Sequence, residues 1–181
     1  MTDLVEWDAA QEQAAPGQLA PLLEAINGVP RWRWWLECQD APAMLRWAAD
    51  HVARRVLVLA ACDCAETVLH QVPKGEDRPR LVIETARAWC RGDATLEEVR
   101  ASAAATASYA ATASYASYAS YASYAASAAY AASYAVADDA SAAASYAGAY
   151  AASAASATHD EHMARLADVV RQRITWQDLM G

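Results

Sequence analysis

The chain has 181 residues, 20% of them charged, with a net charge of −8 and a pI near 4.9. That length suffices for one domain with a real core, and the acidic balance excludes a phosphate-backbone binder as the first reading, favouring a basic or neutral partner surface. There is no run of about 20 strongly apolar residues and no basic-then-apolar leader, so a soluble cytoplasmic protein is expected, with neither a membrane span nor a signal peptide.

In chain order, Thr2 to Ala14 reads as a short helix capped by Thr2 or Asp3 and broken by Pro16-Gly17. Leu19, Leu22, Leu23 and Ile26 follow helical spacing, and Gly28 and Pro30 stop that helix. Arg31-Trp32-Arg33-Trp34-Trp35 would suit a membrane surface or stacked bases, but in so acidic a chain we read Trp anchors with Arg stems laid over them. Asp40 is a natural N-cap and Pro42 fits the first turn after it, with Met44, Leu45, Ala48 and Val52 inward. The apolar run Val56 to Ala61 continues as a helical stripe to His70, with Asp63 and Glu66 facing away.

Pro73 to Asp77 is a turn, and Asp77 can cap a helix whose inner face is Val82, Ile83, Ala86, Trp89 and Cys90. Arg80, Glu84 and Arg87 lie on its outer face at ion-pair spacing, and Gly92 stops it. Thr95-Leu96-Glu97-Glu98 is a capping box, and Thr158-His159-Asp160-Glu161 is a second one. The latter starts a last helix with Met163, Leu166, Val169, Val170 and Ile174 inward.

Between these boxes, from Ala101 to Ala157, lies a segment made almost wholly of Ala, Ser and Tyr, whose only charges are Asp138 and Asp139. Ala favours helix, and the segment lacks the frequent Gly and period-2 alternation of a silk-like sheet. The Ala-Ser-Tyr triplets at Tyr115, Tyr118, Tyr121 and Tyr124 drift around a helix of 3.6 residues per turn, so they make no single stripe. A rod from Thr95 to Ala157 would be on the order of 95 Å long. Against a radius of gyration of about 16 Å for a compact chain, that length predicts at least one fold-back, with Asp138-Asp139 as the corner. The expected layout is residues 1–94, 95–157 and 158–181 within one domain. The fold class is all-α, a bundle of about seven helices.

Three constellations invite chemistry. Cys62 and Cys64 point about 200° apart on a helix and cannot share a metal, so with Cys38 and Cys90 they read as reduced, buried thiols. His159 and His162 have metal-compatible spacing but no third ligand, and read as a solvated helix start. Asp63, Glu66 and His70 form a turn-spaced ridge, with no nucleophile, phosphate loop or oxyanion-type turn beside it. We therefore expect no catalytic residues, no metal and no cofactor.

Val58-Leu59-Ala60-Ala61-Cys62-Asp63-Cys64-Ala65-Glu66-Thr67-Val68-Leu69-His70, then Val72 to Arg80, Ile83 to Trp89 and Arg91-Gly92, resemble a known family. It is the Imm-5-like family of bacterial and phage putative immunity proteins, matched over roughly residues 34–110. The resemblance implies an all-helical protein that binds and neutralises a toxin, and no family catalytic residues carry across. With the acidic charge, it points to a basic toxin met by steering and occlusion. The expected contact residues are Asp63, Glu66, Asp77, Arg78 and Glu84. The competing readings are a homo-oligomeric assembly protein that pairs its Ala/Tyr helices, and an enzyme built on the Asp63/Glu66/His70 ridge.

Overall fold

The computed structural model describes residues 25–26, 29–113, 147, 151 and 159–180. The fold is all-α, with seven α-helices among those residues. They are α1 (Arg31–Glu37), α2 (Ala41–Ala48), α3 (Arg54–Glu66), α4 (Arg78–Arg91), α5 (Leu96–Ala113), α6 (His159–Arg173) and α7 (Trp176–Met180). A 3₁₀ turn spans Leu69–Gln71. No described helix is long and apolar enough to cross a membrane. The chain divides into two compact units, one over residues 1–37 with Met180 and the other over Cys38–Leu179 with Gly181.

In the first unit, β1 (Ala25–Ile26) pairs antiparallel with β2 (Val29–Pro30), Ile26 opposite Val29, and α1 packs on both. The helical reading through Ile26 is thus corrected at its end. Asn27-Gly28 separates the paired residues, and that dipeptide is the strongest short hairpin signal. Trp35 is buried while Trp32 and Trp34 are half-buried, and Arg33 pairs with Glu37 at 3.1 Å along the exposed side of α1.

The second unit is organised around α3, which packs against α2, α4 and α6. Its buried residues are Leu57, Val58, Ala60, Ala61, Cys62, Cys64 and Ala65, so apolar side chains cover most of its circumference. A helix apolar nearly all round belongs in a core. Its small residues let neighbouring helices approach closely, while each buried Leu or Val contributes about 2 kcal/mol of transfer free energy. The helix ends at Glu66, earlier than the apolar stripe suggests. Thr67 turns its hydroxyl back to the Cys64 carbonyl at 2.7 Å, and the chain tightens into the 3₁₀ turn.

Helix ends obey local rules. At α2, Asp40 Oδ1 accepts the Ala43 N–H at 3.0 Å, with Pro42 in the first turn. At α4, Asp77 occupies the cap position but makes no cap bond; Glu76 Oε1 accepts the Arg78 N–H instead, at 3.0 Å. That helix ends in a Schellman motif. Gly92 takes φ +87, its N–H donates to Trp89 O, and Asp93 N–H donates to Ala88 O. At α5, Thr95 and Glu98 cap each other, Thr95 N–H to Glu98 Oε2 at 2.7 Å and Glu98 N–H to Thr95 Oγ1 at 3.2 Å.

Val99, Ala103 and Thr106 form the buried stripe of α5, which packs on α4. Ala147 and Ala151, one helical turn apart, are both helical and fully buried. Met163 and Val169 of α6 are half-buried, whereas His162, Leu166, Ala167 and Val170 are its buried positions. His162 therefore sits inside the molecule instead of at a solvated helix start. The last helix does not run on through Ile174. Thr175 and Asp178 form a further capping box, Thr175 N–H to Asp178 Oδ2 at 2.8 Å, and start α7 separately. The Asp138-Asp139 corner, the Tyr115–Tyr124 triplets and the Thr158 cap lie outside the described residues.

Candidate functional site

Asp63 is the one acidic residue within the buried length of α3 and is only partly exposed. A carboxylate so placed needs partners. Its Oδ1 accepts from Arg87 of α4 at 2.7 Å and its Oδ2 from Arg173 of α6 at 2.6 Å. Glu66, at the end of α3, accepts from the same Arg87 at 2.6 Å. The result is a four-residue ionic clamp joining three helices. Glu66, then Asp63, hold the Arg87 guanidinium further above its ordinary range by hydrogen bonding. Arg87, expected to face solvent beside Glu84, is the residue that turns inward to make this clamp.

The acid–base ridge dissolves in this geometry. His70 lies beyond the end of α3, and its Nδ1 donates to the Thr67 carbonyl at 3.0 Å. Its Nε2 then accepts from Gln71 Nε2 at 2.7 Å. The carboxylate of Glu66 serves Arg87, so no Glu66–His70 pair forms.

Along α4, Asp77, Arg80, Glu84 and Arg87 recur every three or four residues and share one side. Arg80 donates to Asp77 at 2.8 Å and to Glu84 at 3.0 Å, all three being more than half exposed. Through Arg87 this ridge continues to Asp63 and Glu66. The structure thus strings Asp63, Glu66, Asp77 and Glu84 along one line of alternating charge. Arg78 departs from it. Its guanidinium is held by the Glu76 carboxylate and lies over the Tyr109 ring at 4.9 Å. The Arg78 hydrogen bond holds Glu76 below the usual carboxylate range. Beside it the buried Thr106 hydroxyl lies 3.1 Å from the Arg78 carbonyl and 3.0 Å from the Ser102 carbonyl, joining α5 to the start of α4.

Next to the ridge, a groove of about 540 Å³ runs between α4 and α5, open to solvent. Leu81, Ala88, Ala94 and Ala101 give it an apolar lining, while Glu84, Arg91 and Glu98 contribute charge. Leu81 is 48% exposed, and with Leu36 it is one of two exposed large apolar side chains among the described residues. Sequence periodicity had left this residue unremarked, because an exposed leucine on a helix reads like any other surface position.

Cys62, Cys64 and Cys90 are buried free thiols, and Cys38 is half-buried. Burial pushes the Cys64 thiol up to about 12 and raises Cys62 further, so neither supplies a thiolate at neutral pH. Among the described residues, no group of three or more His, Cys, Asp or Glu side chains is placed to hold a metal ion.

No curated protein and no solved structure matches the chain. A family model does, described as "Imm-5 like putative immunity protein", over residues 47–178. The match begins inside α2 and reaches into α7, so it extends beyond the stretch whose motifs carried the resemblance and takes in the Ala/Ser/Tyr segment. The clamp, the ridge and the groove all fall within it, and the chain belongs to the Imm-5-like putative immunity protein family.

Proposed function

We propose that this is a cytoplasmic immunity protein that binds its cognate toxin stoichiometrically and neutralises it by covering its working surface. Family membership is the observation that carries this reading. The net charge of −8 supports a basic toxin, which such a surface would attract over several ångströms before contact. Of the five expected contact residues, Asp77 at the cap position of α4 and Glu84 on that helix suit the role best, because their carboxylates are more than half exposed. Arg78 lies at the end of the same helix. Asp63 and Glu66 contribute as the inner end of the charged ridge.

Recognition through such a surface needs no chemical step. It needs steering by the acidic field, then exclusion of water over a patch with a few anchoring side chains. A tagged pull-down from the native host, read by mass spectrometry, tests the reading. One stoichiometric, basic, toxin-like partner is the expected result, lost on charge reversal of Asp63, Glu66, Asp77, Arg78 and Glu84 together. Recovery of only the protein itself, as a defined oligomer, would replace it with the self-assembly reading.

A further inference from the structure

We propose that the groove between α4 and α5 is the seat for a basic, apolar segment of the toxin, a helix or loop that lays one large apolar side chain against Leu81 and directs Lys or Arg towards Glu84 and Glu98. This rests on the toxin-binding reading and assigns that partner's contact surface. The apolar part follows from the lining. Leu81 stands half out of a helix beside three alanines, which leave the groove open and uncovered by larger side chains.

The basic part follows from the charges. Arg91 is the one cation of the lining, and its Nε donates to Asp93 at 2.9 Å, so its charge is already matched. Glu84 accepts from Arg80 through Oε1, and Glu98 takes both Thr95 donors on Oε2. Each carboxylate thus keeps accepting capacity for a further donor. A cationic segment complements this rim, whereas an anionic one would meet two carboxylates.

The groove is also preformed. The Schellman motif at Gly92 fixes its α4 wall and the Thr95/Glu98 capping box fixes its α5 wall. Both caps sit in the short connection that carries Ala94. A seat built on capped helices needs little ordering when it is filled, which is the general route from modest area to useful affinity. The volume lies within the range of pockets that accept side chains or small ligands, and the geometry is that of helix-in-groove recognition.

The test titrates the full, isotope-labelled chain with an amphipathic Leu/Lys peptide about four helical turns long, and with its Leu/Glu counterpart, reading amide shifts. The Leu/Lys peptide is expected to move the signals of Leu81, Thr85, Ala88 and Ala101, to bind about tenfold more weakly to Leu81→Glu and to Glu84→Lys, and to weaken with added salt. Equal response to both peptides, shifts confined to other surfaces, or indifference to Leu81→Glu would overturn the assignment. So would a concentration-dependent dimer that Leu81→Glu dissolves, since the occupant would then be a second copy. The host pull-down repeated with Leu81→Glu as bait separates the two levels. If that variant retains the toxin as well as the parent does, the groove is not the seat and the immunity reading stands. If neither bait brings down a toxin while the Leu/Lys peptide still fills the groove, the immunity reading fails and the groove's chemistry stands.

Discussion

Helices α3 and α4 lie against each other and share an ionic clamp, yet they meet opposite demands. Helix α3 is covered on three sides by α2, α4 and α6, and its one central charge is satisfied twice over. Helix α4 buries one face, Pro79, Val82, Ile83, Ala86 and Cys90, and gives much of the rest to charges, to Leu81 and to the groove. Fold specification is concentrated in the first helix and surface chemistry in the second. Substitutions that separate stability from recognition should therefore sort by helix.

The sharpest contrast is Leu57→Ala against Leu81→Ala. The first empties a fully buried site on α3 and is expected to cost about 3 kcal/mol, lowering the melting temperature by on the order of 10 °C. The second removes a half-exposed side chain and should stay within about 0.5 kcal/mol. Equal losses in thermal melts would break the comparison. Next in size is Asp63→Ala, which takes the carboxylate from Arg173 and leaves Arg87 with Glu66 alone, and should cost about 2 kcal/mol. A double-mutant cycle with Arg173→Met should show coupling between the two sites, and strict additivity would mean that the clamp is ornamental. Gly92→Ala comes third, at about 1 kcal/mol. Apart from its chain neighbours, nothing lies within 4 Å of the added methyl group, so the cost is that of a left-handed backbone alone.

Acid should act next, and its direction follows from two carboxylates. The Thr95 N–H, and then its hydroxyl, hold Glu98 below its ordinary value, and Arg78 does the same for Glu76. A lowered native value means that both contributions are fully present above the unfolded value, about 4.3. They are lost as the pH falls through the lowered native values. Melts from pH 6 downwards should show Glu98→Gln less acid-sensitive than the parent, and a steeper dependence in the variant would contradict the cap. The smallest effect belongs to the exposed Arg80–Glu84 pair, worth a few tenths of a kcal/mol in a double-mutant cycle and screened by salt.

What sequence could say about these helices depended on how far each signal reaches. Asp40, Thr95 with Glu98, and Gly92 were legible because a cap is settled within three or four residues. Asp77 does take the cap position, but its carboxylate is given to the Arg80 guanidinium and Pro79 has no N–H to offer, so the expected cap bond is not made. The end of α3 at Glu66 was hidden because Val68 and Leu69 keep helical spacing beyond it, though Thr67 had already bent the chain. The inward turn of Arg87 could not be read from its own helix at all. Its partners come from α3, and only the packing of the two helices brings them together. A carboxylate set between two cysteines inside an apolar helix was the available hint that some distant cation must come to it. The groove was equally invisible, since it is made of the space left between two helices and not of any motif on either.

The clamp has a consequence in time as well as in space. Arg173 and Asp63 are 110 residues apart in sequence, and among the described helices it is the late α6 that covers this face of α3. During vectorial synthesis, α2, α3 and α4 leave the ribosome first and can associate through short-range contacts, while the remaining apolar face waits. At roughly 5–20 residues per second the wait is on the order of ten seconds. For that interval the nascent chain carries an uncovered apolar face beside a carboxylate that has Arg87 but still lacks Arg173. Emergence of α6 is thus the event that brings Arg173 to Asp63 and covers that face.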